Sequence, residues 1–332
     1  LVMMEVVRMK TIKIGLLGLG NIGTGTYKTL EMNRSEIEST LNAKVEIVKI
    51  LERDTERDRG ITVPKEKFTS DPDEIFQDPE IDIVIELLGG IEPATTFMLS
   101  ALKNGKHVVT ANKAALAANY HELINAAKEN NVILRFEASV GGGIPILGTL
   151  TGPLRANKFE EVMGILNGTT NYILTMMTKE GLDYETALKD AQEQGFAEAD
   201  PTADVEGIDA ANKLTILMAL MFDKYVAPKD IPTTGITEIT KEKIEEARSN
   251  GCKIKLIAHA WRDENDEIKY EVRPMYISAT HPLANINKEF NAVFVKGNAV
   301  DDVMFYGKGA GPLPTGSAVL GDVIDISMMI LK

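Results

Sequence analysis

A glycine-rich turn near the amino terminus constrains the fold of this chain more than any other sequence feature. The apolar run IKIGLL ends at GLGNIG, which places Gly18, Gly20 and Gly23 in a G-x-G-x-x-G pattern, and the helical pattern NIGTGTYKTLEMN follows. A strand, a tight turn and a helix in this order predict the opening of a βαβ unit. The first glycine permits the turn, the second lets a ligand approach the backbone, and the third lets helix and strand pack closely.

The same turn predicts a site for a dinucleotide. Backbone N–H groups at a helix start, together with the helix dipole, favour the pyrophosphate of NAD or NADP. The next apolar run, VEIVKIL, should end beside the adenosine ribose, where an acid favours NAD and an arginine favours NADP. Glu52, Arg53 and Asp54 follow that run. The choice of cofactor therefore stays open, and Arg53 favours NADP slightly.

The pattern of apolar runs changes about two fifths of the way along the chain. Strand-like runs at 81–88, 107–110 and 132–136 alternate with helical patterns near 94–104 and 114–129, which predicts a parallel sheet. Later runs alternate over longer stretches, and the pair around RDENDE predicts a hairpin. We therefore predict an α/β fold in two domains. The first is a Rossmann-type NAD(P)-binding domain (11–136 plus 305–332), and the second is an α+β domain on a mixed β-sheet (137–304).

Size and charge restrict the class of protein. The 332 residues exceed a typical domain of roughly 100–200 residues, which agrees with two domains. A net charge of -13 repels phosphate backbones and argues against nucleic acid, and no apolar stretch approaches the roughly 18 residues of a membrane span. The single cysteine, Cys252, excludes an intrachain disulfide and favours the cytoplasm. The opening LVMMEVVRMK is interpreted as a leader or an extra strand end.

Two lysines have surroundings that suit proton transfer beside a hydride acceptor. Lys113, in TANKAAL, follows a strand of the first sheet, where doubly wound folds bind ligands. Lys213 lies four residues after Asp209, so both project from one helix face, and Asp204 is expected to be the N-cap. A lysine buried in the apolar helix LTILMALMF would need partners for its charge. The four histidines show no metal-like spacing and are interpreted as structural.

Six separated motifs resemble those of the homoserine dehydrogenase family, in order and near the family's spacing, from about residue 11 to residue 327. They are GLGNIGTG, TANKAAL, EASVGGGIPI, GILNGTTNYIL, GFAEADPTADVEGIDAANKL and GKGAGPLPTGSAV. The resemblance implies NAD(P)-dependent interconversion of L-homoserine and L-aspartate 4-semialdehyde, the branch step toward threonine and methionine.

The resemblance also implies roles for individual residues. Lys213 would donate a proton to the nascent alkoxide, Lys113 would support the proton chemistry and the substrate, and Asp204 would orient Lys213. Glu198 and Asp209 would hold the substrate's ammonium group, and Thr169 its carboxylate. The implied cofactor contacts are Leu19, Gly20, Asn21, Ile22, Lys113, Gly195 and Gly311. The implied site for a monovalent cation, expected to be sodium, consists of the Glu137 carboxylate and the carbonyl groups of Val140, Gly142 and Ile144.

Two departures from the family pattern stand out. Phe196 follows Gly195 where relatives often have tyrosine, so a hydroxyl beside the substrate is missing. Many relatives also carry a C-terminal amino-acid-sensing domain or a fused aspartate kinase, whereas this chain stops at Lys332. We interpret it as the short form or as a truncated chain. By analogy, the second domain would form a homodimer.

Two other functions compete with this interpretation. A dehydrogenase that oxidises the same semialdehyde needs a thiolate nucleophile, and Cys252 in GCKIKLIAHA has no nearby histidine or glycine turn. A binding protein that senses NAD(P) without turnover would keep the glycine turn. It would have no use for Lys113, Asp204 and Lys213 together.

Overall fold

A computed structural model describes residues 9–332, so the first eight residues of the predicted leader lie outside the described residues. The chain divides into two compact units. The first contains the described residues up to 115, then 121–138 and 315–332, and the second contains 116–120 and 139–314.

The first unit is a parallel sheet with helices between its strands. Its strands are β1 (Thr11–Leu17), β2 (Lys44–Leu51), β3 (Phe68–Thr69), β4 (Ile83–Glu86), β5 (His107–Thr110) and β6 (Leu134–Arg135). Its helices are α1 (Asn21–Met32), α2 (Arg34–Leu41), α3 (Asp73–Phe76), α4 (Ala94–Lys103), α5 (Lys113–Ala118) and α6 (Tyr120–Glu129), of which α5 continues into the second unit.

The strand order of this sheet locates a ligand crevice. Among the described residues the order is β3-β2-β1-β4-β5-β6, and every pairing is parallel. Ile14, Leu16 and Ile83 are fully buried, as expected where both faces of a parallel sheet are covered. The order reverses between β1 and β4, and the crevice lies outside the carboxyl ends of those strands. This confirms the predicted Rossmann-type fold.

The second unit carries helices against a second sheet. Its helices are α7 (Leu147–Thr151), α8 (Gly168–Glu180), α9 (Tyr184–Glu193), α10 (Thr202–Val205), α11 (Ile208–Phe222) and α12 (Lys241–Ser249). Its strands are β7 (Phe159–Ile165), β8 (Cys252–Arg262), β9 (Ile268–Ser278), β10 (Phe290–Gly297) and β11 (Asp301–Lys308).

The second sheet has the order β11-β10-β7-β8-β9 and antiparallel pairings between its strands. One isolated bridge, between Thr233 and Val272, is parallel. The hairpin predicted around RDENDE is β8 and β9. The sequence placed the return to the first unit at residue 305, whereas the second unit continues to Pro314, because β11 pairs with β10 along its whole length.

The last helix, α13 (Pro312–Ile330), enters the first unit at Thr315. Among residues 9–332 it is the one helix long and apolar enough to cross a membrane by length and composition. Its buried side chains Val319, Leu320, Val323 and Ile326 belong to the hydrophobic core of the first unit. A buried core helix can be as long and as apolar as a membrane-spanning helix, and this packing is that of a core helix.

Candidate active site

The glycine turn lies between β1 and α1, and Gly18 and Gly23 have the predicted turn and packing roles. Gly18 has φ +93°, a left-handed conformation, and a Cβ there would lie 3.0 Å from the carbonyl oxygen of Leu87. A Cβ on Gly23 would lie 2.2 Å from the Gly18 carbonyl oxygen, so only glycine lets helix and turn pack this closely. Gly20 has no atom within 4 Å of its Cβ position and leaves the backbone open to a ligand.

Backbone N–H groups at the start of α1 complete this turn. Gly20 is the N-cap, Asn21 and Ile22 are the first helical residues, and the first turn contains no acidic side chain. This helix end therefore keeps its positive character, which suits a pyrophosphate. The Leu19 N–H differs, because it donates to the Glu52 carboxylate at 3.0 Å.

The acid at the end of β2 is surrounded by donors from its own chain. Glu52 Oε1 accepts from the N–H groups of Arg53 (2.9 Å) and Asp54 (3.1 Å). Its Oε2 accepts from Leu19 and lies 3.3 Å from the Arg59 guanidinium, whose Nε donates to the Leu19 carbonyl oxygen. Burial opposes the charge, but these donors outweigh it and hold the pKa of Glu52 below its ordinary value. Arg53 is exposed.

Lys113 is the first residue of α5, separated by two residues from Thr110 at the end of β5, and is half-buried. The preceding Asn112 fixes this helix start, because its Oδ1 accepts from the Ala115 N–H at 3.1 Å. Its Nδ2 donates to the Gly90 carbonyl oxygen at 2.7 Å. The loops that follow β4 and β5 are therefore joined at the carboxyl edge of the sheet.

Lys213 and Asp209 form a buried ion pair on α11. Lys213 Nζ lies 2.7 Å from Asp209 Oδ2 and donates to the Leu166 carbonyl oxygen at 2.6 Å. The side chains are 9% and 7% exposed, so the charge of the lysine is compensated inside the protein, as its position in an apolar helix requires. Asp209 is therefore a direct carboxylate partner of Lys213.

Asn167 links the two aspartates and was not predicted from the sequence. Its Nδ2 donates to Asp204 Oδ1 at 2.6 Å and to Asp209 Oδ2 at 2.9 Å. Its Oδ1 accepts from the Thr170 N–H and caps α8, which fixes the orientation of the amide. The sequence signal was an N-cap residue before the helical pattern GTTNYIL. Its bonds to aspartates 37 and 42 residues away leave no trace in the sequence.

The prediction that Asp204 caps the lysine helix is wrong. Asp204 lies in the separate short helix α10, and the N-cap of α11 is Gly207, with φ +82° and no side-chain cap bond. A Cβ on Gly207 would lie 2.9 Å from Thr233, so both the turn and the space require glycine. Asp204 is instead held by Asn167.

The other predicted substrate contacts lie on the segments around α8 and α9. Thr169 is buried, and its hydroxyl donates to the Phe196 carbonyl oxygen at 2.6 Å. Gly195 has φ +77°, and the space beside its Cα is open. The Phe196 ring packs against Tyr172 with ring centroids 4.7 Å apart. Glu198 is exposed, which leaves its carboxylate accessible to a ligand.

The predicted cation ligands belong to two parts of the chain. Glu137, in the first unit, donates its backbone N–H to Asp322 Oδ2 at 2.8 Å. Burial raises the pKa of Asp322 to about 7.

In the second unit, Val140, Gly142 and Ile144 are buried. Gly142 has φ +54°, and a Cβ on it would lie 2.5 Å from the Gly309 carbonyl oxygen. Gly311, with φ +120°, follows in the same glycine loop.

Side chains alone do not form a metal centre in the part of the chain that the structure describes. Residues 9–332 contain no group of three or more His, Cys, Asp or Glu side chains placed to hold a metal. A cation at EASVGGGIPI would therefore need backbone carbonyl oxygens in addition to the Glu137 carboxylate, and both are hard ligands suited to sodium. Cys252 begins β8, and its Sγ lies 3.5 Å from the Asn250 carbonyl oxygen.

Comparison with known proteins identifies both parts of the chain. Residues 18–137 match the homoserine dehydrogenase NAD-binding domain, and residues 145–324 match the homoserine dehydrogenase domain. The homoserine dehydrogenase of Bacillus subtilis is 45% identical over 318 residues, which cover 96% of this chain and 73% of the relative.

Solved structures agree with the sequence comparison. The homoserine dehydrogenase of Thiobacillus denitrificans superimposes with a TM-score of 0.93 at 43% identity, over 97% of this chain and 74% of that one. A hyperthermophilic archaeal homoserine dehydrogenase in complex with NADPH gives a TM-score of 0.81 at 26% identity, over 96% of this chain and 98% of that one. The chain belongs to the homoserine dehydrogenase family and is an NAD(P)-dependent oxidoreductase.

Proposed function

We propose that this enzyme interconverts L-homoserine and L-aspartate 4-semialdehyde and that Lys213 transfers the proton. The buried pair of Lys213 and Asp209, fixed by Asn167, is the observation that carries this proposal. An amine that donates to a carboxylate and to a carbonyl oxygen is oriented, which is what a general acid or base requires. The nicotinamide, when bound, supplies or accepts the hydride.

The surrounding residues are proposed to bind and orient the substrate. Glu198 and Asp209 hold the ammonium group of the substrate, which needs anionic partners, and Thr169 contacts its carboxylate. Asp204 orients Lys213 indirectly, through Asn167 and Asp209. Lys113, at the start of α5, supports both the substrate and the proton chemistry.

We propose that NADP is preferred and that NAD is also accepted. Glu52, the acid placed to accept from a ribose hydroxyl, already accepts from three N–H groups and pairs with Arg59. The exposed Arg53 keeps its guanidinium available for a 2′-phosphate. The pyrophosphate would be held by residues 18–23, and Gly195 and Gly311 are proposed as further cofactor contacts.

A structural sodium ion is proposed at Glu137 with the carbonyl groups of Val140, Gly142 and Ile144. The burial of Val140, Gly142 and Ile144 and the oxygen-only donor set, which suits a hard cation, support it. The test compares the melting temperature of the protein in sodium chloride with that in choline chloride, and a higher value in sodium chloride is expected. An equal melting temperature in the two salts would contradict the site.

We propose that the enzyme is a homodimer in the cytoplasm. Met304 and Tyr306 on β11 are 38% and 55% exposed beside the apolar face formed by Phe294 and Phe290, and a second copy would cover them. Sedimentation equilibrium measures this directly. A monomer at micromolar concentration would contradict it.

The decisive experiment follows the absorbance of reduced nicotinamide with L-homoserine, with NAD and NADP in parallel. Turnover with both cofactors, faster with NADP, is expected, and Arg53→Ala should lower the preference for NADP. Cofactor binding without turnover would favour the alternative function, a binding protein that senses NAD(P). An unchanged preference in Arg53→Ala would remove Arg53 from the site.

A further inference from the structure

A carboxylate with no exposed surface lies at the carboxyl edge of the first sheet. Glu86 is the last residue of β4, is 0% exposed, and has no ionic partner among residues 9–332. Burial raises the pKa of its carboxyl group, and the surrounding hydrogen-bond donors oppose that rise. Apolar residues are the rule at such positions, so a buried acid here is costly and calls for a function.

The donors to Glu86 come from the two loops beside the crevice. Its Oε1 accepts from the Leu88 N–H at 2.8 Å, and the Asn112 amide lies 3.5 Å away. Its Oε2 accepts from the Thr110 hydroxyl at 2.7 Å, and that hydroxyl in turn accepts from the Asn112 N–H. Glu86 therefore joins the loop after β4 to the loop after β5.

The loop after β4 faces the glycine turn. The Cβ position of Gly18 lies 3.0 Å both from the Leu87 carbonyl oxygen and from Cδ2 of Leu88. Leu88 is 38% exposed, although its backbone is held by Glu86. An apolar side chain is thus presented beside the turn that would hold the pyrophosphate.

The loop after β5 carries Lys113. Asn112, which bonds to the Thr110 hydroxyl through its N–H, also caps α5 through its side chain. A change at Glu86 therefore reaches the start of the helix where Lys113 lies.

The topology assigns the two ends of the dinucleotide to different strands. The adenosine lies toward β2 and the pyrophosphate at the glycine turn, so the nicotinamide extends past the switch point toward β4 and β5. We infer that Glu86 is a positioning residue for the nicotinamide half of the cofactor, acting through Leu88 and the Thr110–Lys113 loop. This inference depends on the proposed reaction only for its expected effect on the rate of hydride transfer.

The test compares NADPH with adenosine 2′,5′-bisphosphate, which lacks the nicotinamide. Glu86→Ala should weaken NADPH binding about tenfold, equivalent to the loss of one or two hydrogen bonds, and leave the bisphosphate unaffected. The primary deuterium isotope effect on kcat, measured with nicotinamide-deuterated cofactor, should rise, because a misplaced ring makes hydride transfer limiting. Glu86→Gln keeps an acceptor for Leu88 and the shape of the side chain, so it should restore most of the NADPH affinity.

Met98→Ala is the matched control, since Met98 on α4 is equally buried in the same unit. It should lower the melting temperature without changing the ratio of the two affinities. If Glu86→Ala does not fold, Thr110→Val removes the Oε2 half of the bridge and should shift the ratio in the same direction. Equal weakening of both ligands, or of neither, would overturn the inference. The affinities need no turnover, so they remain decisive even if wild-type enzyme proves inactive with homoserine.

Discussion

Two buried lysines of the second unit, Lys213 and Lys255, differ in the groups that accept hydrogen bonds from their amines. Lys213 meets a carboxylate, Asp209, at 2.7 Å. Lys255 on β8, which is 2% exposed, donates to the Ile286 carbonyl oxygen and, at 2.9 Å, to Asn171 Oδ1. Both partners of Lys255 are neutral, and burial lowers its pKa to about 7.

The asparagines at the two ends of NGTTN contact the surroundings of these two lysines, which we call the Lys213 region and the Lys255 region. Asn167 donates to the aspartates of the Lys213 site. Asn171, one helical turn later, donates to the carbonyl oxygens of Ile286, Lys288 and Phe290 and accepts from Lys255. In the Lys213 region Asn167 joins two acids, one of which pairs with Lys213. The Lys255 region fixes a loop to a helix.

Replacement of each lysine by methionine should give the largest difference in kcat between the two regions. Lys213→Met should lower kcat by about 10³-fold or more, because the proposed proton donor is lost, while cofactor binding persists. Lys255→Met should retain turnover within about threefold, since only loop packing is altered. Steady-state kinetics and cofactor fluorescence titration measure both quantities. Turnover of Lys213→Met within about threefold of wild type would exclude Lys213 as the acid or base.

Local sequence patterns predicted what depends on near neighbours. The strand, turn and helix around Gly18 and the Asp209–Lys213 pair, four residues apart, follow from spacing alone, and both are confirmed in the structure. Asp204 was expected to cap α11 because acids commonly precede helices. The positive φ of Gly207, which separates α10 from α11, was not visible as a helix boundary.

Contacts between distant residues were not predictable in this way. Glu86 lies in the apolar run IDIVIELL, where nothing marks it as more than a strand end, because its partner Thr110 is 24 residues away. Lys255 likewise lies in an ordinary alternating strand, and its burial against Ile286 depends on how β8 and the segment before β10 pack. Sequence therefore located the glycine turn and the Asp209–Lys213 pair, and the structure supplied the distant residues that contact them.

The two asparagines offer a second way to separate the regions. Asn167→Ala should lower kcat by about 10- to 100-fold, because both aspartates lose a shared donor and Lys213 shifts. Asn171→Ala should leave kcat nearly unchanged and lower the free energy of unfolding by about 3 kcal/mol, since buried carbonyl oxygens lose their donor. Kinetics and urea denaturation of both variants give the comparison. The reverse assignment of effects would show that Asn171, not Asn167, serves the reaction.

The smallest effect is a change in how stability depends on pH. The folded pKa of Lys255, about 7, lies below the ordinary value of 10.5. Between these values the unfolded chain binds a proton that the folded chain does not, so Lys255 makes the free energy of unfolding rise with pH. Lys255 adds at most about 1.4 kcal/mol per pH unit to the slope of the free energy of unfolding. This added slope disappears below pH 7, where Lys255 is protonated in both the folded and the unfolded state.

Lys255→Met should therefore flatten the stability curve between pH 7 and pH 9.5, as measured by urea denaturation. Lys253→Met is the matched control, because Lys253 is on the same strand but less buried, and its Nζ donates to Ala284 and Asn285. Its curve should stay parallel to that of wild type. A Lys255→Met curve that is also parallel would mean that Lys255 stays charged when buried. The neutral carbonyl groups around Asn171 would then compensate a full charge as well as Asp209 does for Lys213, and the contrast between the two regions would fail.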